Sequence, residues 1–167
     1  MIRQCSHSDI ESIYSIVNQA AEAYQGVIPA DCYHQPYMSR EELEEEMKRI
    51  TFFGWEENGG LVGVMGIEPI KDATLIRHAY VQPQWQQQGI GSELVSYLKS
   101  LATTSRLLVG TWAAARWAIA FYHKHGFRLL PDKDELLSTY WDIPWRQIET
   151  SVVMGIDTDI IRRSHHG

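Results

Sequence analysis

A short segment, Gln86-Gln87-Gln88-Gly89-Ile90-Gly91-Ser92, has the residue types and spacing of a site that binds an anion. Glycine allows tight turns and lets the backbone approach phosphate oxygens closely. The segment opens a stretch with helical periodicity, and the first N–H groups of a helix have no intrahelical partner and lie at the positive end of its dipole. We therefore predict a diphosphate site here. Because the segment contains no basic residue, main-chain groups must supply most of the binding.

A second segment with reactive side chains, Phe121-Tyr122-His123-Lys124-His125-Gly126-Phe127, follows on the next predicted helix and its exit. Gly126 is typical of a helix end, where glycine adopts the left-handed conformation. A Gly-x-Gly motif alone is weak evidence, so the presence of both segments in this order makes the prediction specific.

These segments need strands and helices to position them. Ser8-Asp9-Ile10-Glu11 and Ser39-Arg40-Glu41-Glu42 have the pattern of capping boxes, which predicts two helices, the second ending near Ile50. Strand-like runs follow at residues 51–56, 61–68 and 75–81, and the first two are joined by the hairpin signal Asn58-Gly59. Residues 132–145 are expected to contain one or two helical turns. Further helices are predicted at residues 89–103 and 113–125, and further strands at residues 1–5, 106–111, 127–130 and 151–156.

The order of these elements predicts an α/β (α+β) fold, with a central mixed, mostly antiparallel sheet of about six to seven strands flanked by about four helices. The length of 167 residues suits a single domain with a substantial core. We expect this domain to span residues 1–157 and a C-terminal tail to span residues 158–167.

Composition argues against several classes of function. The net charge of −6 disfavours a nucleic-acid partner, which attracts basic surfaces. No apolar run approaches the ~20 residues that span a bilayer, and the N-terminus lacks a signal-peptide pattern. Cys5 and Cys32 form neither a disulfide framework nor a metal motif. We therefore expect a cytoplasmic protein with no membrane partner and no metal, in which His165 and His166 belong to the tail.

Two other phosphate-binding folds fit the glycine segment less well. A dinucleotide-binding unit would place the glycines after the first strand, whereas here they follow the fourth predicted strand. A P-loop would need Gly-Lys-Ser or Gly-Lys-Thr, which the segment lacks.

Together, the two segments closely resemble the GNAT superfamily of N-acetyltransferases. The family's acetyl-CoA motif, Gln/Arg-x-x-Gly-x-Gly/Ala, corresponds to Gln86-x-x-Gly89-x-Gly91, preceded here by Val81-x-Pro83. A Phe/Leu-Tyr-x-Lys-x-Gly-Phe segment follows at about this distance in the family, and the predicted order of elements from residue 1 to 156 is also similar. Residues 140–152 resemble a tail found in one subgroup of GNAT proteins. The resemblance implies a GNAT fold, acetyl-CoA as cosubstrate and acetylation of a primary amine.

The resemblance also implies roles for individual residues. The main chain of Ala79 and Val81 would bind the pantetheine arm, and the N–H of Ala79 would polarise the thioester carbonyl. Tyr122 would face the sulfur and return a proton to the leaving thiolate, since a phenol with a pKa near ~10 is protonated at neutral pH. The alternative for Tyr122 is a tyrosine packed in the core. The residues that would enclose the pyrophosphate are Gln86, Gln87, Gln88, Gly89, Ile90, Gly91 and Ser92.

The chain departs from the family pattern at three positions. The family often has an asparagine seven residues before the tyrosine, and Ala115 occupies that place here. Several members carry an acidic residue or a histidine as the base on the strand before the glycine segment, where this chain has Leu75 and Arg77. The identity of the base is therefore open.

His78 and Glu68 are the candidate bases near these positions. Simple alternation along the strand places His78 on the face opposite Arg77 and Val81. A structural role for either residue, and proton loss through ordered water, remain alternatives.

The acceptor amine is expected to bind between two regions that flank the acceptor cleft in the family, residues 22–38 and 131–145. Aromatic side chains there suit an amine next to an apolar or cationic group. Packing under a long loop, or at a dimer face, is the alternative for them. The aromatic residues concerned are Tyr24, Tyr33, His34, Tyr37, Tyr140, Trp141 and Trp145.

The sequence thus predicts direct transfer of an acetyl group from acetyl-CoA to an amine. The acceptor is a small-molecule amine or the N-terminus or a lysine of a peptide. Dimers are common in the family, so a homodimer is one alternative for the oligomeric state, which the sequence leaves open. The alternative function is a non-catalytic acyl-CoA-binding or sensory module of the same fold. The absence of the family's asparagine and of a carboxylate on the strand favours this alternative.

Overall fold

Three consecutive strands, β2 (Thr51–Glu57), β3 (Gly60–Ile70) and β4 (Ala73–Val81), form an antiparallel meander at the centre of the sheet. They are seen in a computed structural model of the chain that describes residues 1–157. The turn between β2 and β3 has left-handed backbone at Asn58 (φ 51°) and Gly59 (φ 81°), as the hairpin signal predicts. The predicted tail, with His165 and His166, lies outside the described residues.

Four more strands complete a seven-stranded sheet within the described part of the chain. They are β1 (Ile2–Gln4), β5 (Arg106–Trp112), β6 (Arg128–Leu129) and β7 (Ser151–Asp157). The strand order is β1-β2-β3-β4-β5-β7-β6, and only β4 and β5 pair in parallel. The predicted mixed, mostly antiparallel sheet is therefore confirmed.

Six α-helices accompany the sheet in residues 1–157, two more than expected. Of the additional pair, α5 lies in the segment for which only helical turns were predicted, whereas α6 begins at the last residue of that segment and continues beyond it. α5 buries Leu136, Leu137 and Tyr140 and α6 buries only Ile148, so their apolar patterns are too short to indicate helices by spacing. No helix in this range is long and apolar enough to cross a membrane. The helices are α1 (Ile10–Ala21), α2 (Arg40–Glu46), α3 (Ile90–Leu101), α4 (Arg116–Lys124), α5 (Lys133–Tyr140) and α6 (Trp145–Glu149).

The two predicted capping boxes have different outcomes. At α2, the hydroxyl of Ser39 accepts a hydrogen bond from the Glu42 N–H at 3.1 Å, as predicted. At α1, the Asp9 carboxylate accepts from the N–H of Ser6 at 2.8 Å, and one 3₁₀ turn precedes the helix. The predicted box at Ser8 is therefore wrong.

Apolar side chains cover both faces of the sheet. On one face, Leu94 and Leu98 of α3 pack with Val109 of β5. On the other face, Ile13 of α1 packs with Phe52 of β2. The sheet is thus the middle layer of three, and any opening between its strands connects the two sides of the molecule.

Such an opening exists between β4 and β5, which are paired along only part of their length. Their parallel register runs from Ala73↔Arg106 to Ile76↔Val109. Beyond it, β4 continues beside β3 as far as Val81, while β5 continues beside β7 as far as Trp112. The main chain of the last five residues of β4 therefore lacks a strand partner on the β5 side.

A β-bulge lies in this unpaired part of β4. Val64 of β3 pairs with Tyr80 and Gly66 pairs with Arg77, so two residues of β4, His78 and Ala79, lie opposite a single residue of β3. His78 has a left-handed backbone, with φ 54°. This conformation is unfavourable for a residue with a side chain, and such residues cluster at functional sites.

Candidate active site

The glycine-loop cleft, as we call it, is a cavity of about 640 Å³ lined by the end of β4, residues 86–92 and the start of α3, and α4. Ala79 and Val81 line it from β4, and Tyr122 and Lys124 line it from α4. The structure therefore brings together the two segments that the sequence singled out.

The loop before α3 has the backbone of an anion site. Gln87 (φ 63°) and Gly89 (φ 84°) are left-handed, and the helix begins at Ile90. Successive N–H groups in such alternating conformations form a concave site for an anion, here at the positive end of α3. A Cβ added to Gly89 would have no atom within 4 Å, so it is the backbone conformation rather than a lack of space that favours glycine there.

Main-chain groups of β4 face the cleft. The N–H of Gln82 donates to the carbonyl of Val62 on β3 at 2.8 Å, whereas the side-chain amide of Gln86 donates to the carbonyl of Val81 at 3.1 Å. Because main-chain groups of successive strand residues point to alternate sides, those of Val81 point away from β3 into the opening. Ala79 lies in the bulge and lines the same cleft.

Tyr122 is buried, at 5% exposure, and lines the glycine-loop cleft. Its ring packs edge-on against Phe121 and Phe127, with centroids 5.1 and 5.5 Å away. The hydroxyl makes no hydrogen bond within residues 1–157, and it is not among their buried unpaired polar atoms. Burial raises the pKa of Tyr122 above its usual value, and the nearby Tyr24 adds to this effect. The phenol therefore keeps its proton while its oxygen remains accessible.

Three side chains that were not predicted to belong to the site, Lys99, Lys124 and His125, lie near the predicted Ser92 and the cleft. Ser92 Oγ lies 3.0 Å from His125 Nε2, and Lys99 donates to the main-chain carbonyl of His125 at 2.8 Å. Lys124 contributes a positive charge to the wall of the cleft. Burial lowers the pKa of His125, and the charges of Lys99 and Lys124 lower it further. These residues lie within the second segment or in α3, but nothing in their spacing marks them.

A second cavity, of about 110 Å³, which we call the tyrosine cleft, lies on the other side of β4. Its walls come from the α1–α2 connection, β4, β5 and the α5–α6 region. Tyr24 and Tyr80 line both clefts, so the two cavities meet at this pair. The hydroxyl oxygens of the pair are 3.4 Å apart.

Tyr24 is the centre of an aromatic cluster at this junction. Its ring lies 5.3 Å from that of Tyr37, 6.3 Å from that of Tyr80 and 6.0 Å from that of Trp117. The indole N–H of Trp112 donates to the Tyr37 hydroxyl at 2.7 Å. Burial raises the pKa of Tyr24 and of Tyr37, so both phenols remain neutral.

The bulge corrects the prediction for His78. Simple alternation placed His78 and Arg77 on opposite faces, yet both contact Glu46 at the end of α2, at 2.7 Å from His78 Nε2 and 3.2 Å from Arg77. The extra residue in β4 turns both side chains to the same face, toward the tyrosine cleft, which both line. The Glu46 oxygen lies off the axis of the ring N–H, so the short contact is electrostatic rather than an aligned hydrogen bond.

Burial acts to raise the pKa of Glu46, but His78, Arg77 and Arg49 together lower it below its usual value. The carboxylate is therefore charged at neutral pH. A carboxylate oxygen at 2.7 Å would repel a lone pair on Nε2, so that nitrogen carries a proton and the lone pair of a neutral His78 is on Nδ1. Nδ1 makes no hydrogen bond within residues 1–157 and is not among their buried unpaired atoms.

Glu68 has a different environment. It is 5% exposed, and its two oxygens accept from Arg77 at 2.9 Å and from Arg49 at 3.2 Å. It lines neither the glycine-loop cleft nor the tyrosine cleft. The structure therefore places Glu68 in an ion-pair cluster behind β4.

The structure separates the aromatic residues that the sequence grouped together. Tyr24, Tyr37 and Trp141 line the tyrosine cleft, whereas Tyr33 and His34 stack on the ring of Tyr37 from outside it. The other two line neither cleft: Tyr140 donates a hydrogen bond to Asp72, and Trp145 is 60% exposed.

Other predicted positions lie apart from the reactive groups. Ala115, at the usual asparagine position, is fully buried beside Trp112. Cys5 and Cys32 line neither cleft. Within the part of the chain that is described, no cluster of His, Cys, Asp or Glu could hold a metal ion.

Known proteins share this fold. The PaiA N-acetyltransferase from Thermoplasma acidophilum, in complex with coenzyme A, is 16% identical with a TM-score of 0.71, over 94% of this chain and 98% of that chain. The ribosomal-protein-S18-alanine N-acetyltransferase from Escherichia coli is 18% identical with a TM-score of 0.70, over 95% of this chain and 93% of that chain. Rv2747 from Mycobacterium tuberculosis, in complex with CoA, is 19% identical with a TM-score of 0.69, over 94% of this chain and 98% of that chain.

A family model also matches the part of the chain that contains the glycine-loop cleft. Residues 48–129 match the acetyltransferase (GNAT) domain, a range that includes the bulge in β4, the glycine loop and Tyr122. By this match, and by a fold shared along nearly the whole chain, the protein is similar to the GNAT superfamily of acetyltransferases.

Proposed function

We propose that this protein is an N-acetyltransferase that transfers the acetyl group of acetyl-CoA to a primary amine by direct attack. The observation that carries the proposal is the opening between β4 and β5, where unpaired main chain at Ala79 and Val81 connects the glycine loop with the tyrosine cleft. Two proteins of the same fold were solved with coenzyme A, which supports CoA as the donor.

Acetyl-CoA binds along the unpaired edge of β4 in this proposal. The amides of the pantetheine arm pair with the main chain of Ala79 and Val81, as an added strand would. Gln86 to Ser92 enclose the pyrophosphate with main-chain N–H groups, and Lys124 adds a positive charge nearby.

The N–H of Ala79 acts on the thioester carbonyl. It lies in the bulge beside the opening, and in this proposal it donates to the carbonyl oxygen as negative charge develops there. The amine nitrogen attacks the carbonyl carbon from the tyrosine cleft, on the opposite side from the CoA chain. The tetrahedral intermediate then collapses with cleavage of the carbon–sulfur bond.

His78 is the base that we favour over Glu68. His78 lines the tyrosine cleft and has an accessible Nδ1, and Glu46 fixes its proton on Nε2. The carboxylate of Glu68 is engaged by two guanidinium groups and lines neither cleft, so it has no route to the amine.

Tyr122 is the proposed general acid. Burial holds its proton at neutral pH, and its hydroxyl has no partner within residues 1–157 to prevent donation to the sulfur. The protons balance as follows: the incoming ammonium loses one proton to His78 before attack. The nitrogen loses a second proton to solvent after attack, and Tyr122 donates its own proton to the thiolate and regains one from solvent. His78 then releases its proton to solvent, so the products are the amide, free CoA thiol and one proton.

A thiol-release assay tests the proposal. Purified protein is incubated with acetyl-CoA and a panel of primary amines, and free CoA is measured with a thiol reagent, while calorimetry measures acetyl-CoA binding. We expect binding together with amine-dependent release of thiol. Binding without release for any amine or peptide would instead indicate the acyl-CoA-binding or sensory module. A lack of binding would refute the assignment of the glycine-loop cleft.

A further inference from the structure

We propose that the tyrosine cleft selects primary amines carried on an apolar or aromatic group with no carboxylate beside the amine. The inference rests on the proposed function and concerns which amines the site accepts. Three properties of the cleft support it: the pairing of its charges, the faces of its aromatic walls and its volume.

The charges of the tyrosine cleft are already paired. Its ionisable lining residues within residues 1–157, tyrosines apart, are Arg77 and His78. The two terminal nitrogens of Arg77 contact Glu68 at 2.9 Å and Glu46 at 3.2 Å, and His78 contacts Glu46. The α-carboxylate of an amino acid would therefore enter a site without an unpaired cation. Burying an unpaired carboxylate is costly, so such acceptors bind poorly.

The walls present several aromatic faces, beside the polar side chains of Thr111, Gln147 and Ser151. The Tyr37 hydroxyl is engaged by Trp112, and the hydroxyls of Tyr24 and Tyr80 lie against each other. A Cβ added to Gly110 of β5 would lie 3.4 Å from the indole of Trp141, so this ring packs directly on the strand. Aromatic faces attract an ammonium group and bury apolar surface, and these are the two parts of an apolar amine.

The volume limits what can enter. The tyrosine cleft measures about 110 Å³, and a protein cavity of about 150 Å³ holds a benzene molecule. The cleft therefore accommodates an amine with a short alkyl chain and at most part of one ring. A multi-ring acceptor would extend out of the cleft.

Matched acceptor pairs test the selection against carboxylates. We would compare phenethylamine with phenylalanine and 3-methylbutylamine with leucine, because the members of each pair differ only in the carboxylate. The thiol-release assay should give a kcat/KM for each amine that exceeds that of its amino acid by about tenfold or more, as an unpaired buried group predicts. An equal or higher kcat/KM for the amino acid in either pair would overturn the proposal.

Variants of two tryptophans test the aromatic wall. Trp141→Ala should raise the KM for phenethylamine about tenfold, because it removes the ring on β5, and should leave acetyl-CoA affinity unchanged. Trp145→Ala is the matched control, since Trp145 lies outside the cleft and is 60% exposed. An unchanged KM in Trp141→Ala would mean that this cleft does not hold the acceptor.

A gain-of-function variant tests the charge argument. Ile143 lines the cleft and is half-buried. Ile143→Lys introduces a cation without a carboxylate partner. It should therefore lower the ratio of kcat/KM for 3-methylbutylamine to kcat/KM for leucine about tenfold. A ratio that stays at the wild-type value would show that the absence of a free cation is not what rejects leucine.

The failure of this proposal can be distinguished from failure of the proposed function. If acetyl-CoA binds and spermidine is acetylated while neither matched amine is, the protein is an N-acetyltransferase and the inferred acceptor class is wrong. If no amine causes thiol release, the proposed function itself fails, and the inference fails with it.

Discussion

The glycine-loop cleft and the tyrosine cleft lie on the two sides of β4 and are formed by different kinds of chemical group. The glycine-loop cleft depends on main-chain groups, from Ala79, Val81 and the loop before α3. The tyrosine cleft depends on side chains from four separate regions, with Tyr24 and Trp141 among them. The first requires a particular backbone path, and the second requires particular residues.

If the proposed function holds, this difference lets one fold keep a donor and change its acceptor. Substitutions around the glycine-loop cleft that preserve the backbone path should preserve the proposed donor binding, because the N–H groups belong to every residue except proline. Substitutions in the tyrosine cleft change which atoms meet the acceptor. The predictions below separate these two kinds of dependence, beginning with the largest expected effect.

Gly89→Glu should reduce CoA affinity by about 1000-fold. A carboxylate about 4 Å from the diphosphate costs ~4 kcal/mol at the effective dielectric of a protein surface, and isothermal titration calorimetry with CoA measures the loss. Retained affinity would mean that the loop does not hold the diphosphate. It would also contradict the claim that main-chain groups of this cleft bind the donor.

The control for this variant is Gly59→Glu. Gly59 has nearly the same backbone conformation, φ 81° against 84° at Gly89, and a Cβ added at either position meets no atom within 4 Å. The two variants therefore carry the same backbone strain, roughly 1–2 kcal/mol. Gly59→Glu should lower the melting temperature and leave CoA affinity unchanged.

Tyr122→Phe should lower kcat about 100-fold while the Kd for CoA stays within a factor of about two, because the hydroxyl donates a proton and the ring packing is retained. Steady-state kinetics and calorimetry separate the two quantities. Tyr140→Phe is the matched control, a buried tyrosine outside both clefts whose hydroxyl donates to Asp72. If kcat falls equally in both variants, the loss in Tyr122→Phe reflects packing and not proton transfer.

Variants of His78 and Glu46 test whether side chains set the chemistry of the tyrosine cleft. His78→Gln should lower kcat about 10- to 100-fold. The loss should be smaller than for a base that nothing can replace, because water can still accept the proton. Glu46→Gln should lower kcat about tenfold through the orientation of His78. Glu46→Gln added to His78→Gln should cause no further loss, since Glu46 acts through the imidazole.

Glu68→Gln is the control for the choice of base. It leaves the guanidinium of Arg77 with one carboxylate instead of two, so we expect a lower melting temperature and nearly unchanged kcat. A large loss of kcat in Glu68→Gln, with wild-type turnover in His78→Gln, would transfer the role of base to Glu68.

The features that could be predicted from the sequence are those that depend on local backbone requirements. Gly89 and Gly59 were recognised because few residues other than glycine adopt a left-handed backbone without strain. Apolar spacing and turn signals placed the strands and four of the helices. The glycine-loop cleft is built from such local features, which is why the sequence indicated it.

The tyrosine cleft could not be predicted because tertiary contacts determine it. The β-bulge at His78 has no local signal, and without it strand alternation places His78 and Arg77 on opposite faces. Trp141 and Trp145 are close in sequence and equal in type, yet only Trp141 packs against β5. The pairing of Glu46 with β4 likewise depends on where α2 ends relative to the sheet.

The smallest effect that we predict concerns His125, which supports the glycine loop through Ser92. Burial, with Lys99 and Lys124, lowers the pKa of His125 from its usual 6.5, so the unfolded chain binds a proton more readily than the folded protein. The associated stability is present above pH 6.5 and is lost as the pH falls through 6.5 toward the lowered value. The melting temperature should therefore fall on acidification, and His125→Gln should reduce that fall.

Measurements at about pH 7.5 and about pH 5 would test this, with His123→Gln, an exposed residue of the same segment, as the control. An equal fall in His125→Gln and the wild type would remove His125 from this linkage. Saturating CoA should also reduce the fall in the wild type, since a diphosphate at the loop favours protonated His125 and opposes the lysine charges. If CoA has no such effect, the Ser92–His125 contact is separate from donor binding. Binding in the glycine-loop cleft would then depend on main-chain groups without help from this side-chain pair.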